Sequence, residues 1–130
     1  MTIHMPATQV DLAACAAGVT TVTQWALARV QVRLGYSLAI RDESGGALAV
    51  GGYVYRDDET CDAWFMAAPA AGRRLLAIVR LIRLTGIPGP YRSAIAFVTT
   101  PEGRRLVRAI GFSYAAERPD GMEVWRWERS

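Results

Sequence analysis

The chain has 130 residues, enough for one domain with a core of its own. Apolar residues make up 52% and charged residues 21%, which excludes a disordered chain, and no apolar run approaches the roughly 20 residues that cross a bilayer. The net charge of +3 is too small to argue for nucleic acid by itself.

All fifteen basic residues are arginine, a bias expected of a GC-rich coding sequence. Seven of them, Arg73, Arg74, Arg80, Arg83, Arg104, Arg105 and Arg108, fall on two predicted helices, where the planar guanidinium fork suits an anion or a partner surface.

The first predicted element is a short strand from Ile3 to Met5, ended by Pro6. Thr8-Gln9-Val10-Asp11 reads as a helix start, with Thr8 as the cap and Asp11 in the first turn. Val10, Leu12, Ala13, Ala16 and Ala17 are its apolar positions, and Gly18 is a natural stop. A second helix follows from Thr20 or Thr21 to Leu34, with Val22, Trp25, Leu27, Ala28, Val32 and Leu34 on its apolar face. One continuous helix broken at Gly18 is the alternative.

Tyr36–Arg41 and Ala47–Tyr55 alternate around the turn Asp42-Glu43-Ser44-Gly45-Gly46 and predict a hairpin. Gly51-Gly52 within it predicts a bulge or a close backbone approach. Thr60–Met66 is a third antiparallel strand. From Gly72 the period becomes helical: Leu75, Leu76, Val79 and Ile82 are expected inside and Arg73, Arg80 and Arg83 outside. Ser93–Val98 is a buried strand. Thr100 caps a helix with Pro101 in its first turn and Gly111 just past its end, and Leu106, Val107 and Ile110 face inward. Phe112–Ala116 and Met122–Trp127 are the last strands. The order β-α-α-β-β-β-α-β-α-β-β predicts a single α/β domain over residues 1–130, with a mixed, mostly antiparallel sheet flanked by helices.

Cys15 and Cys61 have neither metal-ligand spacing nor a disulfide framework, and read as reduced thiols. His4 is the only histidine, so no catalytic triad and no metal site is expected. Met1-Thr2-Ile3-His4-Met5-Pro6 lacks the charged and apolar regions of a secretory leader, which predicts a cytoplasmic protein that is not secreted.

This order resembles the GNAT (Gcn5-related N-acetyltransferase) fold over nearly the whole chain. The resemblance is carried by Ile3-His4-Met5-Pro6-Ala7-Thr8-Gln9-Val10-Asp11, by the hairpin from Leu38 through Gly51-Gly52, and by Leu106-Val107-Arg108-Ala109-Ile110-Gly111-Phe112. Trp64-Phe65-Met66-Ala67-Ala68-Pro69-Ala70, the arginine-rich helix and the helix–Gly–Phe ending are similar to small acetyltransferase-like and internal virion proteins of short-tailed phages. That second resemblance implies a role in virion assembly or protein binding, in a host cytoplasm or a virion. Its partner would be a phage structural or assembly component, and a homo-oligomer is compatible with it. Neither a membrane nor nucleic acid is expected as a partner, although a nucleic-acid accessory using the arginine helices is a third reading.

The GNAT resemblance implies acetyl-CoA as cofactor, its pantetheine between splayed parallel strands and its pyrophosphate on free N–H groups at a helix start. The residues implied are Phe65, Met66, Ala67, Gly72, Arg73 and Arg74. In the family this junction reads Arg or Gln, two residues, Gly, one residue, then Gly or Ala. Here Pro69 has no N–H and Gly72 is the junction's one glycine, so a degenerate acetyl-CoA site is expected. Either Gly72 and the Arg73-Arg74 pair still grip a phosphate, or the junction is an ordinary helix entrance with solvated arginines. Val107 stands where many members carry a proton-donating Tyr, and Thr100 where many carry Asn; Tyr91 and Tyr114 are the nearby substitutes.

Asp62 is the candidate base. Alternation puts it on the face of Trp64 and Met66, opposite Cys61, Ala63 and Phe65. Beside apolar walls its carboxylate could accept a proton from an amine; paired with an arginine it would be structural. An active acyl-CoA-dependent N-acetyltransferase on a small amine or protein amine is therefore the alternative function. Trp125 and Trp127 share a face, as a partner surface or as core.

Overall fold

The computed structural model describes residues 1–16, 26, 29–33, 35–87 and 89–129, with Glu102 described by its backbone alone. The elements are β1 (Thr2–His4), α1 (Gln9–Ala16), β2 (Tyr36–Arg41), β3 (Ala47–Tyr55), β4 (Thr60–Ala67), a 3-10 helix (Pro69–Arg74), α2 (Leu75–Thr85), β5 (Ser93–Val98), α3 (Pro101–Ile110), β6 (Ser113–Glu117) and β7 (Glu123–Glu128). The seven strands form one mixed sheet in the order β1-β2-β3-β4-β5-β7-β6. β4 and β5 run parallel, while β1–β2, β2–β3, β5–β7 and β6–β7 are antiparallel. The predicted mixed α/β sheet flanked by helices is what forms. Residues 26 and 29–33 are helical, and the rest of the predicted second helix, with Gly18, lies outside the described residues.

By their contacts the residues group into two units, Met1–Val54 with Trp64–Ile78, and Tyr55–Ala63 with Val79–Ser130. In the first, α1 begins on a reciprocal cap: Thr8 N–H donates to Asp11 Oδ2 at 3.0 Å and Asp11 N–H donates to Thr8 Oγ1 at 3.1 Å. Leu12 and Cys15 then pack with Ala7, Val32, Ala39 and Val50, and Trp64, Met66 and Ala68 close over that cluster. Val10, one of the apolar positions of this helix, is exposed, whereas Asp11 is buried. The reason is an ion pair: Arg41 donates to Asp11 through Nε at 3.0 Å and Nη2 at 2.8 Å. Burial pushes the Asp11 carboxyl up, but the hydrogen bonds from Arg41 and Thr8 outweigh it and hold the group below its ordinary range.

Glycine serves close approach in the β2–β3 hairpin. A Cβ on Gly52 would collide with the Tyr36 carbonyl oxygen, and one on Gly51 would stand 2.8 Å from the Trp64 carbonyl oxygen. The register irregularity lies elsewhere, between Ile40 and Arg41.

In the second unit, α3 starts with Thr100 Oγ1 accepting from Gly103 N–H at 3.0 Å and ends at Gly111, whose φ is 120°. Leu106 and Val107 are buried as expected. Trp125 is core and no partner surface: it is 2% exposed, with Arg108 5.4 Å from its ring centre and Nε1 donating to Glu123 at 3.0 Å. On α2, whose residues up to Ile78 belong to the first unit and the rest to the second, the buried positions are Ile78, Val79 and Ile82, while Leu76 is exposed. Leu75, Ile78, Val79 and Ile82 keep the i, i+3, i+4, i+7 spacing of one helical face, and Leu76 stands about 100° off it.

Candidate functional site

The expected site residues all lie on β4 and the turn that follows it. Parallel register between β4 and β5 runs from Thr60↔Ser93 to Ala63↔Ala96. β4 continues four residues past that register, through Trp64, Phe65 and Met66 to Ala67. Phe65 and Met66 are half-buried and Ala67 is exposed. Met66 packs on the core cluster of the first unit; Phe65 points the other way, its ring 3.3 Å from where a Gly51 Cβ would stand.

Past Ala67 the chain enters the 3-10 helix without a loop. Ala68 N–H donates to Leu48 O at 2.8 Å, Pro69 has no N–H, and Ala71 N–H donates to Ala68 O at 2.9 Å. Gly72 lies inside this helix with negative φ and open space around its Cβ position, so neither conformation nor packing requires glycine there. Arg73 is exposed, and its side chain has no hydrogen bond or ion pair among the described residues. Arg74 is engaged: its two terminal nitrogens donate to the Glu43 carboxylate at 2.8 and 2.7 Å, and the chain's amino terminus donates to Glu43 at 3.3 Å. Arg74, the Glu43 backbone N–H and the terminal amine hold that carboxyl well below the usual range.

Asp62 takes the arginine-paired form. Arg56 Nε donates to Asp62 Oδ1 at 2.6 Å, and the two side chains are 40% and 31% exposed. The turn that presents them is built by Asp57, whose Oδ1 accepts from Glu59 N–H at 2.9 Å and Thr60 N–H at 2.8 Å. Behind Asp62, Thr60 and Ser93 share a buried hydroxyl contact of 3.0 Å.

No protein-family model and no curated protein matches the chain. Solved structures do. A candidate acetyltransferase of the GNAT family from Desulfovibrio desulfuricans superposes with a TM-score of 0.65 at 20% identity, covering 98% of both chains. A GNAT-superfamily phosphinothricin acetyltransferase from Sinorhizobium meliloti, solved in complex with AcCoA, gives 0.64 at 16% identity over 98% of this chain and 87% of that one. A chimera built on the Vibrio cholerae spermidine N-acetyltransferase gives 0.64 at 12% identity over 97% and 93%. The fold is that of the GNAT acetyltransferases.

Several elements of this GNAT-fold chain bear on chemistry in ways the residue pattern did not reveal. Arg56 as the partner of Asp62 was missed; the one available signal was that Arg56 opens the β3–β4 turn six residues before Asp62. Phe97 was read only as part of a buried strand, yet it is 39% exposed, with Arg56 and Arg118 against its ring. Val107 is 9% exposed and its carbonyl accepts from Gly111 and Phe112 N–H, so it serves the core. Tyr91 is tied by its carbonyl, which accepts from Arg129 Nε and Nη2 at 3.1 and 2.9 Å. Among the described residues no cluster of ligands could hold a metal, and no helix is long and apolar enough to cross a membrane.

The thiols are poor nucleophiles. Burial pushes Cys15 up to about 11, and burial with the nearby Asp62 charge pushes Cys61 up to about 11. Both are fully buried. Neither is expected to react with a thiol reagent at pH 8 in the native chain, while two equivalents react after denaturation. One rapidly reacting equivalent in the folded protein would contradict this packing.

Proposed function

We propose that this chain is an acetyltransferase-like GNAT-fold protein whose phosphate grip is degenerate and which acts by binding another protein. One observation carries the reading. At the junction where the resemblance expects free amides, Pro69 offers none, the amides of Ala68 and Ala71 are bonded within the chain, and Arg74 is turned to Glu43. These donors fit a pyrophosphate poorly. A protein-binding role draws support from α2, where Leu76 and Leu84 are 66% and 83% exposed beside exposed Arg80 and Arg83. Virion assembly would be a role of this kind, and its support is the resemblance to phage proteins alone.

Acetyl-CoA at 0.1 mM is expected to move the melting temperature by less than about 1 °C, whereas a binder at a hundredfold excess over its Kd would gain about 2.7 kcal/mol, or roughly 10 °C. Glu43→Gln, which releases Arg74, is expected to raise that small shift. A shift of several degrees in the unmodified chain would overturn the reading.

A second reading, an active acyl-CoA-dependent N-acetyltransferase, is favoured by the full-length likeness to a structure holding AcCoA and by Asp62 on β4. In it Asp62 would take the amine proton once an acceptor displaced Arg56, and Phe65, Met66, Ala67, Gly72 and Arg73 would line the cofactor.

A further inference from the structure

Four side chains from separate segments of the second unit meet on one face of its strands. Arg56 comes from the β3–β4 turn, Asp62 from β4, Phe97 from β5 and Arg118 from just after β6. Asp62 is in register with Ile95, and Phe97 lies two residues further along the same strand, so the three share a face. Besides holding Asp62, Arg56 places its Cζ 5.8 Å from the Phe97 ring centre, and Arg118 places its Cζ 5.5 Å from the same centre.

This cluster is not core. Phe97, Arg56 and Asp62 are all about one-third exposed or more, and so open an ion pair adds little to stability. Both guanidinium groups keep donors in reserve. Among the described residues Arg56 bonds Asp62 through Nε alone, and Arg118 meets Asp120 through one nitrogen at 3.3 Å. On the same face Arg126 is paired with Glu128 at 3.1 Å and donates to Ser93 at 3.4 Å.

The arrangement presents a negative and a positive group one hydrogen bond apart, a second guanidinium, and an apolar floor. An α-amino acid carries an ammonium and a carboxylate on one carbon, which matches that pair head to tail. Its ammonium would meet Asp62 and its carboxylate the forks of Arg56 and Arg118, with its side chain on Phe97. We infer that the Arg56–Asp62–Phe97–Arg118 cluster binds a free α-amino acid with an apolar side chain. A polyamine has nothing to offer the two arginines, and an inorganic anion leaves Asp62 facing like charge. In the enzyme reading this ligand is the acceptor, and the inference then deepens that reading; binding itself requires no acetyl-CoA.

Isothermal titration of the intact chain with L-phenylalanine and L-leucine tests it, against phenethylamine, 3-phenylpropionate and spermidine. The amino acids are expected to bind about tenfold or more tightly than each compound lacking one of the two charges or both. Arg118→Gln and Phe97→Ala are each expected to weaken the amino acids about tenfold with unchanged circular dichroism. If Phe97→Ala does not fold, exposed Arg118→Gln decides alone. Equal binding of phenethylamine or spermidine, indifference to Arg118→Gln, or no amino-acid binding at all would overturn the inference. Acetyl-CoA is titrated separately. Amino-acid binding without acetyl-CoA binding keeps the inference and removes the enzyme reading, and the converse result does the opposite.

Discussion

Asp11→Ala is expected to cost about 3 kcal/mol of stability and to lower the melting temperature by roughly 10 °C. The carboxylate is 4% exposed and accepts four hydrogen bonds, two from Thr8 and two from Arg41. Its loss leaves Arg41, whose side chain is 24% exposed, without its counter-charge, and removes the carboxylate half of the reciprocal cap of α1, while Thr8 Oγ1 still accepts from the residue 11 N–H. Joint replacement, Asp11→Leu with Arg41→Met, is expected to cost less than the two single changes added, because no unpaired charge is then left behind. The pH dependence has a definite sign. Since the folded carboxyl titrates below its unfolded value of about 3.9, the pair contributes fully above that pH and its contribution disappears as pH falls through the depressed folded value. Chemical denaturation at pH 7 and at pH 3 measures both effects. A loss under about 1 kcal/mol for Asp11→Ala, or a gain in stability on acidification, would contradict the assignment.

Gly52→Ala is the second large effect, an expected loss of about 2–3 kcal/mol. The new methyl would meet the Tyr36 carbonyl and lie 3.0 Å from the Ser37 Cα, both main-chain atoms of β2 that can yield only by parting the hairpin. Gly72→Ala supplies the contrast. Nothing stands within 4 Å of its Cβ position, so that change is expected to be neutral or to stabilise by about 0.5 kcal/mol. Equal effects at the two positions would mean that the backbone approach at Gly52 is not what demands glycine there.

These two glycines mark the border between local and distant information. Gly51-Gly52 inside an alternating strand announces that something comes close, but not that it is Tyr36 for one and Trp64 for the other. The element boundaries were largely readable because they rest on neighbours in the chain. Thr8 with Asp11 and Thr100 with Gly103 close their caps within three residues, and Asp42 shapes its turn by accepting from Ser44 and Gly46. The 3-10 start at Pro69 escaped notice because Ala-Pro-Ala-Ala-Gly-Arg-Arg has no apolar period to phase it.

The candidate site was legible only as a stretch of β4 and its exit. That Asp62 would be drawn to an arginine was foreseeable in kind, but which arginine depends on how the β3–β4 turn aims Arg56. Phe97 and Arg118 are 21 positions apart, and their meeting requires β7 to insert between β5 and β6. Arg74 reaching Glu43, and Arg41 reaching Asp11, likewise join segments 30 or more residues apart. Helix periods, caps and turns follow from steric and hydrogen-bonding preferences of residues a few bonds apart, so the string of amino acids already contains them. Which charge meets which across the sheet is set by strand order and register, energies that exist only once the chain has closed on itself.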